Sequence, residues 1–397
     1  MSKLVLPGLI DPHVHLRDPG QTRKEDFYTG TAAAIADGFT TILDMPNNKT
    51  PITTAQRLNE KIKIAKEKIV CDVGFYFGSM GDNLGEFPKV INKILGLKLY
   101  LNQTTGNFLI NKGKLETIFS AWTTALHSVK VQKKIPILLH AEDNMLSVVI
   151  KLVKNIGNKA HICHISTAED LRQIIKAKKQ GLKITCGVTP HHLFLTDQDA
   201  KRLGPFGLMK PSLKTKKDQN FLWKNLKYID VVESDHAPHT IEEKGGQARG
   251  DTTGRAPDSA HLGEVQGALA GGKVGAGPRA ANIPFGVPGL ETTLPLLLTA
   301  VSEKRLTIDD IVRLCHKNPA DIFGLKRFND LNHQSRIEID LSQEYIIENK
   351  NLFTKCKWTP FAGMKVKGKV EQVFIRGKKV FENGKILARP GSGKILC

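Results

Sequence analysis

"GLIDPHVHLRDPG", residues 8–20, puts His13 and His15 one residue apart at the end of an apolar run and follows them with Arg17 and Asp18. In an extended strand residues two apart share a face, so both imidazoles can enter one cavity while Val14 packs the other way. Two imidazoles converging there can hold one metal ion. A pair of surface histidines near a turn would read the same in isolation, so the rest of the chain has to decide.

Seven further runs have the same texture: "TTILDMP", "CDVGFYFG", "LGLKLYL", "IPILLHAE", "KAHICHIS", "KITCGVTPHH" and "IDVVESDHAPH". Between them lie helix-like stretches. In "KEDFYTGTAAAIADG" Gly38 is the expected C-terminal stop; in "STAEDLRQIIKAKKQG" Ser166 and Glu169 fit a capping box. Alternating strands and helices predict an α/β fold with a parallel sheet, and eight units predict a (β/α)8 barrel of the TIM type. The polar residues sharpen this. Strand one ends in His13 and His15, strand four carries Lys98, strand five ends in His140, strand six in His164 and strand eight in Asp235. The C-terminal strand ends of such a barrel form its active face, so these residues would meet at one mouth.

The barrel is expected over 5–335. From about 336 the pattern turns to short strands, "VKGKVEQVFIRGKKVFENGKIL", with Asn383-Gly384 a hairpin turn. That predicts a small C-terminal β appendage over 336–397, which residues 1–4 could join. Residues 245–283 hold ten glycines and eight alanines and no Phe, Trp or Tyr. With so little to bury, this stretch is expected to be a passive, flexible excursion near the barrel mouth, since lengthening a loop costs only about 0.6 kcal/mol per doubling.

Lysine plus arginine exceed aspartate plus glutamate by 58 to 39, a net charge of +19. The lysines are spread along helical segments such as "LNEKIKIAKEKIV", and no basic run carries interleaved aromatics. The expected reading is a solvated lysine-rich surface and no nucleic-acid partner. No signal peptide or membrane-length apolar run is present, which predicts a cytoplasmic protein without a membrane partner. The six cysteines lack CxxC spacing and argue against a disulfide framework.

Four histidines, one lysine and one aspartate at strand ends suit a hydrolytic site with two divalent ions, zinc being the expected metal. A protonated lysine cannot bind a cation. Lys98 joins the set only as a carbamate formed with carbon dioxide, whose two oxygens can bridge two metals. Its neighbours Leu97, Leu99 and Leu101 predict an apolar face opposite Lys98 and Tyr100. An outward Lys98, or one paired with an acid, is the structural alternative.

"GLIDPHVHLRDPGQTRKEDF", "MPNN", "GLKLYLN", "LLHAED", "HICHIS", "TPHHLFL", "SDHAPHT" and "GLETTLPLLL" together resemble the dihydroorotases of the amidohydrolase superfamily. These enzymes reversibly close N-carbamoyl-L-aspartate to L-dihydroorotate in pyrimidine biosynthesis. The resemblance implies that His13, His15 and Asp235 hold the more buried metal, that His140 and His164 hold the second, and that carboxylated Lys98 bridges both. It makes Asp235 the proton shuttle, taking a proton from the attacking hydroxide in ring opening and returning one in closure. Arg17, Asn47 and His239 would hold the substrate carboxylate, with Thr104 and Thr105 of "QTTGN" as donors from a mobile loop. A homodimer, or association with aspartate transcarbamoylase, is the partnership implied.

Each assignment has a plainer counterpart. Arg17 could pair with Asp18, Asn47 could cap the helix after "MPNNKTP", His239 could be a turn histidine, and "QTTGN" a polar turn. His191 and His192 read as structural. Two positions depart from the pattern: Gly187 stands where relatives carry glutamate, and Lys210 where they use arginine or asparagine. Other activities on the same metals would be those of a hydantoinase or allantoinase, which do not need Arg17, Asn47 and His239 together. A non-catalytic dihydroorotase-like scaffold for the transcarbamoylase would be expected to lose metal ligands, and this chain keeps all six.

Overall fold

The computed structural model describes residues 3–105, 108–129, 135–245, 283–325 and 335–397. Most of the glycine-rich stretch, 246 to 282, lies outside the described residues, so the expectation placed on it is not addressed.

The chain opens with β1 (Lys3–Pro7) and then lays down eight parallel strands: β2 (Leu9–Val14), β3 (Phe39–Asp44), β4 (Asp72–Gly78), β5 (Gly96–Tyr100), β6 (Ile137–His140), β7 (Ala160–Ile162), β8 (Ile184–Val188) and β9 (Val231–Val232). They pair in sequence order. The ring closes where Val14 bridges His236 in parallel and the His15 amide donates to the His236 carbonyl at 2.8 Å. Strands β2 to β5 are buried along their whole length, as expected of a parallel sheet covered on both faces, and this is why they read as nearly unbroken apolar runs. Ile10, Leu43, Tyr76, Leu138 and Cys163 pack together with Phe323, filling the interior so that the barrel is a plug and not a pore.

A second, antiparallel sheet has the order β1, β10 (Arg336–Ile346), β11 (Lys365–Ile375), β12 (Lys378–Glu382), β13 (Lys385–Ile386). β1 pairs with β10 from Lys3 opposite Asp340 to Pro7 opposite Arg336. Asn383 and Gly384 both have left-handed backbone between β12 and β13, the conformation a two-residue hairpin requires. The two sheets share apolar packing through Ile337, Val370, Val373 and Leu294. The last strand, β14 (Ile395–Leu396), leaves this sheet and pairs with the start of β4 in the barrel, a long-range contact with no local signal.

Helix boundaries follow their caps. Asp26 and Thr29 form a capping box ahead of Phe27–Ala36, and the chain turns back at Gly38, φ +86°. A Cβ at Gly38 would sit 2.9 Å from Ile337, so conformation and space both favour glycine. The helix Ala168–Lys179 is capped by Thr167, whose hydroxyl accepts from Asp170 N at 3.0 Å. This corrects the expected Ser166–Glu169 box by one residue: Ser166 is buried, and the extended backbone runs on to Thr167 before the helix starts. No disulfide forms among the described residues, and no described helix is long and apolar enough to cross a membrane.

The lysine-rich helix Ala55–Lys68 is less uniformly solvated than its sequence suggests. Lys61 is fully buried, 2.8 Å from Asp44 Oδ2, and donates to the Met45 carbonyl (2.8 Å) and Asn48 Oδ1 (2.9 Å). Asp44 in turn accepts from the Leu16 amide at 2.9 Å, anchoring the segment that carries the paired histidines. Lys61→Ala is expected to lower stability by about 3–5 kcal/mol, because it strands a buried carboxylate. Urea unfolding reads this directly, and a change below about 1 kcal/mol would show that the pair is dispensable.

Candidate active site

His13 lies within β2 and His15 just beyond it; Lys98 is in β5, His140 ends β6, His164 follows β7 and Asp235 follows β9. The β2 end is fixed by Asp11, which accepts from the His13 amide at 3.0 Å and from the Ser234 amide at 3.2 Å, joining the first and last barrel strands. Arg17, His164 and Asp235 all adopt left-handed backbone, at φ +61°, +38° and +44°. Non-glycine residues held there store strain, and three of them meet at one mouth.

They surround a cleft whose walls include His13, His15, Arg17, Asn47, Tyr100, Thr104, Thr105, His140, His164, Lys210 and Asp235. His13 Nε2 lies 3.2 Å and His15 Nε2 3.0 Å from Asp235 Oδ1, while His140 Nδ1 lies 3.1 Å from His164 Nε2. Donor atoms of His13, His164 and Asp235 fall within 4.8 Å of one another, close enough to hold one ion. His13, Cys163 and Glu233 form a second such group beneath it.

Burial sets the charge state. It pulls His13 down to about 4 and holds His15 and His164 well below the ordinary imidazole range, with His140 also lowered. Neutral imidazole is the ligand form. Burial raises Asp235, against the opposing pull of His13 and Lys98. Lys98 itself is fully buried: its Nζ lies 3.0 Å from the Cys163 thiol and 4.9 Å over the Tyr100 ring, with no carboxylate in ion-pair range among the described residues. Neither an outward position nor an acid partner describes it.

On the substrate side, Asp18 pairs with Lys68 at 2.7 Å, leaving Arg17 to donate through Nε to the Pro238 carbonyl at 3.2 Å. Asn47 caps no helix, since Thr54 takes that position for Ala55–Lys68. Its Oδ1 is 2.6 Å from His15 Nδ1. An N–H on Nδ1 makes that bond and turns the Nε2 lone pair toward Asp235. His239 sits behind Arg17, fully buried, with Nε2 3.3 Å from Arg17 Nη2 and 3.0 Å from the Phe285 carbonyl. Thr104 faces the cleft. The Thr105 hydroxyl donates to the Phe285 carbonyl at 2.9 Å and accepts from its amide at 2.8 Å, so its hydrogen is already committed. His192 bonds Thr189 Oγ1 at 2.7 Å and the Pro211 carbonyl at 3.1 Å, an orienting role, while the buried His191 has no hydrogen-bond partner on either ring nitrogen. Lys210 lines the cleft with its Nζ 5.3 Å over the Phe285 ring.

Two acids at the site escaped the sequence reading. Glu142 Oε1 lies 2.9 Å from His140 Nε2. Glu233 is fully buried below His13. A glutamate ending the apolar run "IDVV", two residues before Asp235 and so at the same strand parity, was the available signal. Its carboxylate also accounts for Gly187: a Cβ there would lie 2.3 Å from Glu233 Oε1.

Comparison with known proteins agrees with this architecture. The amidohydrolase family model matches residues 4–380. The chain is 40% identical over 390 residues to multifunctional protein CAD of Squalus acanthias, covering 98% of this chain and 15% of that much longer relative. It is 34% identical over 403 residues to the dihydroorotase of Pyrococcus furiosus, covering all of this chain and 86% of the relative. L-hydantoinase of Arthrobacter aurescens superposes with a TM-score of 0.84 over 99% of this chain and 88% of its own, at 24% identity, a likeness of fold alone. The inactive dihydroorotase-like domain of the Chaetomium thermophilum CAD-like multifunctional protein superposes at 0.72 over the full length of both chains, with 25% identity. The chain belongs to the amidohydrolase family and, within it, groups with the dihydroorotases.

Proposed function

We propose that the chain interconverts N-carbamoyl-L-aspartate and L-dihydroorotate. The observation that carries this reading is one cleft that sets Arg17 and Asn47 beside the histidines and Asp235. Buried neutral imidazoles, a carboxylate and an unpartnered His164 Nδ1 form a donor set that fits zinc, with His13, His15 and Asp235 for one ion and His140 and His164 for the other. Lys98, buried without a counter-ion, fits as the bridging carbamate. When bound, such a pair would polarise the ring amide carbonyl and activate water near neutral pH.

The chain's own groups do the rest. Arg17 presents a planar fork to the substrate carboxylate, and Asn47, whose Oδ1 is engaged with His15, has its amide hydrogens free to donate to the same group. His239 supports that corner beside Arg17, and Thr104 approaches from the loop, whose Thr105 is tied to Phe285. In ring opening a C–O bond forms as the amide C–N bond breaks; Asp235 accepts the proton of the attacking oxygen and delivers it to the departing nitrogen. Closure runs the same transfer in reverse. The cytoplasm is the proposed setting. A second copy of the chain or aspartate transcarbamoylase is the proposed partner, in line with the match to one stretch of a multifunctional protein.

The deciding assay compares ring opening of dihydroorotate, hydantoin and allantoin by purified, zinc-loaded protein. Faster turnover of either alternative would overturn the assignment, and no turnover of any would support a scaffold like the inactive neighbour. Arg17→Met is expected to raise KM for dihydroorotate about tenfold to a hundredfold, since a hydrogen bond to a charged group contributes about 1.5–3 kcal/mol. An unchanged KM would remove Arg17 from substrate recognition.

A further inference from the structure

Directly beneath the paired histidines, the Glu233 carboxylate is fully buried and meets three strands of the barrel, β2, β7 and β8. Its Oε2 lies 3.4 Å from His13 Nδ1 and 3.6 Å from His161 Nε2, and its Oε1 accepts from the His164 amide at 2.5 Å. From β8, Gly187 leaves the space open: a Cβ there would meet Glu233 Oε1 at 2.3 Å, Cδ at 2.5 Å and Cγ at 3.0 Å. A bare glycine on one strand and a buried acid on the next are therefore two halves of one arrangement.

We propose that Glu233 is a positioning residue for the metal centre. It holds the Nδ1 side of His13 so that Nε2 faces Asp235, and it fixes the backbone of His164, with Gly187 kept bare to admit it. This rests on the metal reading given above. The chemistry is that of a carboxylate behind a ligating imidazole: His13 Nδ1 and Glu233 Oε2 face each other at 3.4 Å with no other hydrogen-bond partner, and a slight closing would let the carboxylate accept from the far ring nitrogen, select the tautomer and make the near nitrogen a better donor. Loss of such a partner weakens metal binding by about 10–100-fold. Because the acid reaches the histidine from β9 through space that β8 vacates, its function should be transferable between the two strands.

The test titrates zinc against a competing chelator and records the visible spectrum of the cobalt-loaded protein. Wild type, Glu233→Gln, Glu233→Ala, and Glu233→Ala combined with Gly187→Asp are compared, each checked by circular dichroism. Glu233→Gln should bind zinc about 10–100-fold more weakly and shift the cobalt bands, with kcat falling far more than KM changes. The combined variant should bind at least about tenfold more tightly than Glu233→Ala alone, recovering the lower end of that loss. Wild-type affinity and spectrum in Glu233→Gln would overturn the proposal, as would a combined variant no better than Glu233→Ala. So would a third equivalent of metal whose thiolate band disappears in Cys163→Ala, since Glu233 would then be a direct ligand. If Glu233→Gln does not fold, the combined variant decides, and misfolding of both would make the acid structural and overturn the proposal. Wild-type protein that takes up no zinc would overturn the metal reading as well, whereas an indifferent Glu233→Gln overturns this inference alone.

Discussion

Lys98→Ala should lose at least about a thousandfold in kcat/KM for ring opening, more than about 4 kcal/mol of transition-state stabilisation, and should fail to retain both metal ions. The argument starts from cost. An ammonium at a site with no solvent exposure, held by the Cys163 thiol at 3.0 Å and the Tyr100 ring at 4.9 Å with no carboxylate in ion-pair range among the described residues, is a poorly compensated charge. Structural selection alone would favour an apolar side chain of similar length there, because a buried charge without good partners contributes little to stability. Its presence calls for chemistry, and on the proposed reading a carbamate would supply it: the cation would become an anion with two oxygens, placed among imidazoles that burial keeps neutral. The length-matched Lys98→Met should leave the apo fold as stable as wild type or more so while abolishing the paired centre, two effects that ordinary core damage, such as the cavity left by alanine, would not combine. Thermal unfolding, metal analysis and initial rates separate them. A wild-type rate in Lys98→Ala would end the bridging role.

Which parts of this were readable from the chain follows from how far each signal reaches. Every barrel strand is a local apolar run, and the candidate ligands at its end stand where an apolar run meets polar residues, so the pattern needs no knowledge of the fold. Lys98 is legible for a related reason, since a lysine between Leu97 and Leu99 must face away from them. Features made by pairing distant segments were not legible. Lys61 belongs to a helix whose other lysines fit a solvated face, and only the arrival of Asp44 from β3 makes it a core residue. Gly187 looked like a lost acid because the residue that fills its space comes from the neighbouring strand. Thr105 looked like a free donor until Phe285 took both its bonds.

Asp235→Asn should keep the fold and much of the metal, and lose about 10²–10⁴-fold in rate in both directions, the range that a positioned acid or base contributes. Asparagine keeps an oxygen of nearly the same size opposite His13 and His15, which stand 3.2 and 3.0 Å from Asp235 Oδ1, so ligand geometry changes little. What it cannot do is gain and release a proton. Burial already raises Asp235 from its ordinary value, narrowing the gap between its two forms, as a group that must be base in one direction and acid in the other requires. The sign is then fixed: ring opening needs the carboxylate and falls as pH drops through its pKa, while closure needs the acid and falls as pH rises through it. The break at this pKa should vanish from both profiles in Asp235→Asn, and because an enzyme cannot change the equilibrium constant at a given pH, the two directions must lose rate by the same factor there. Rates measured in both directions across pH on metal-analysed protein test this. A variant that kept its metal, lost activity and still showed the same break in both profiles would assign the proton transfer to another group, and Asp235 would remain a ligand only.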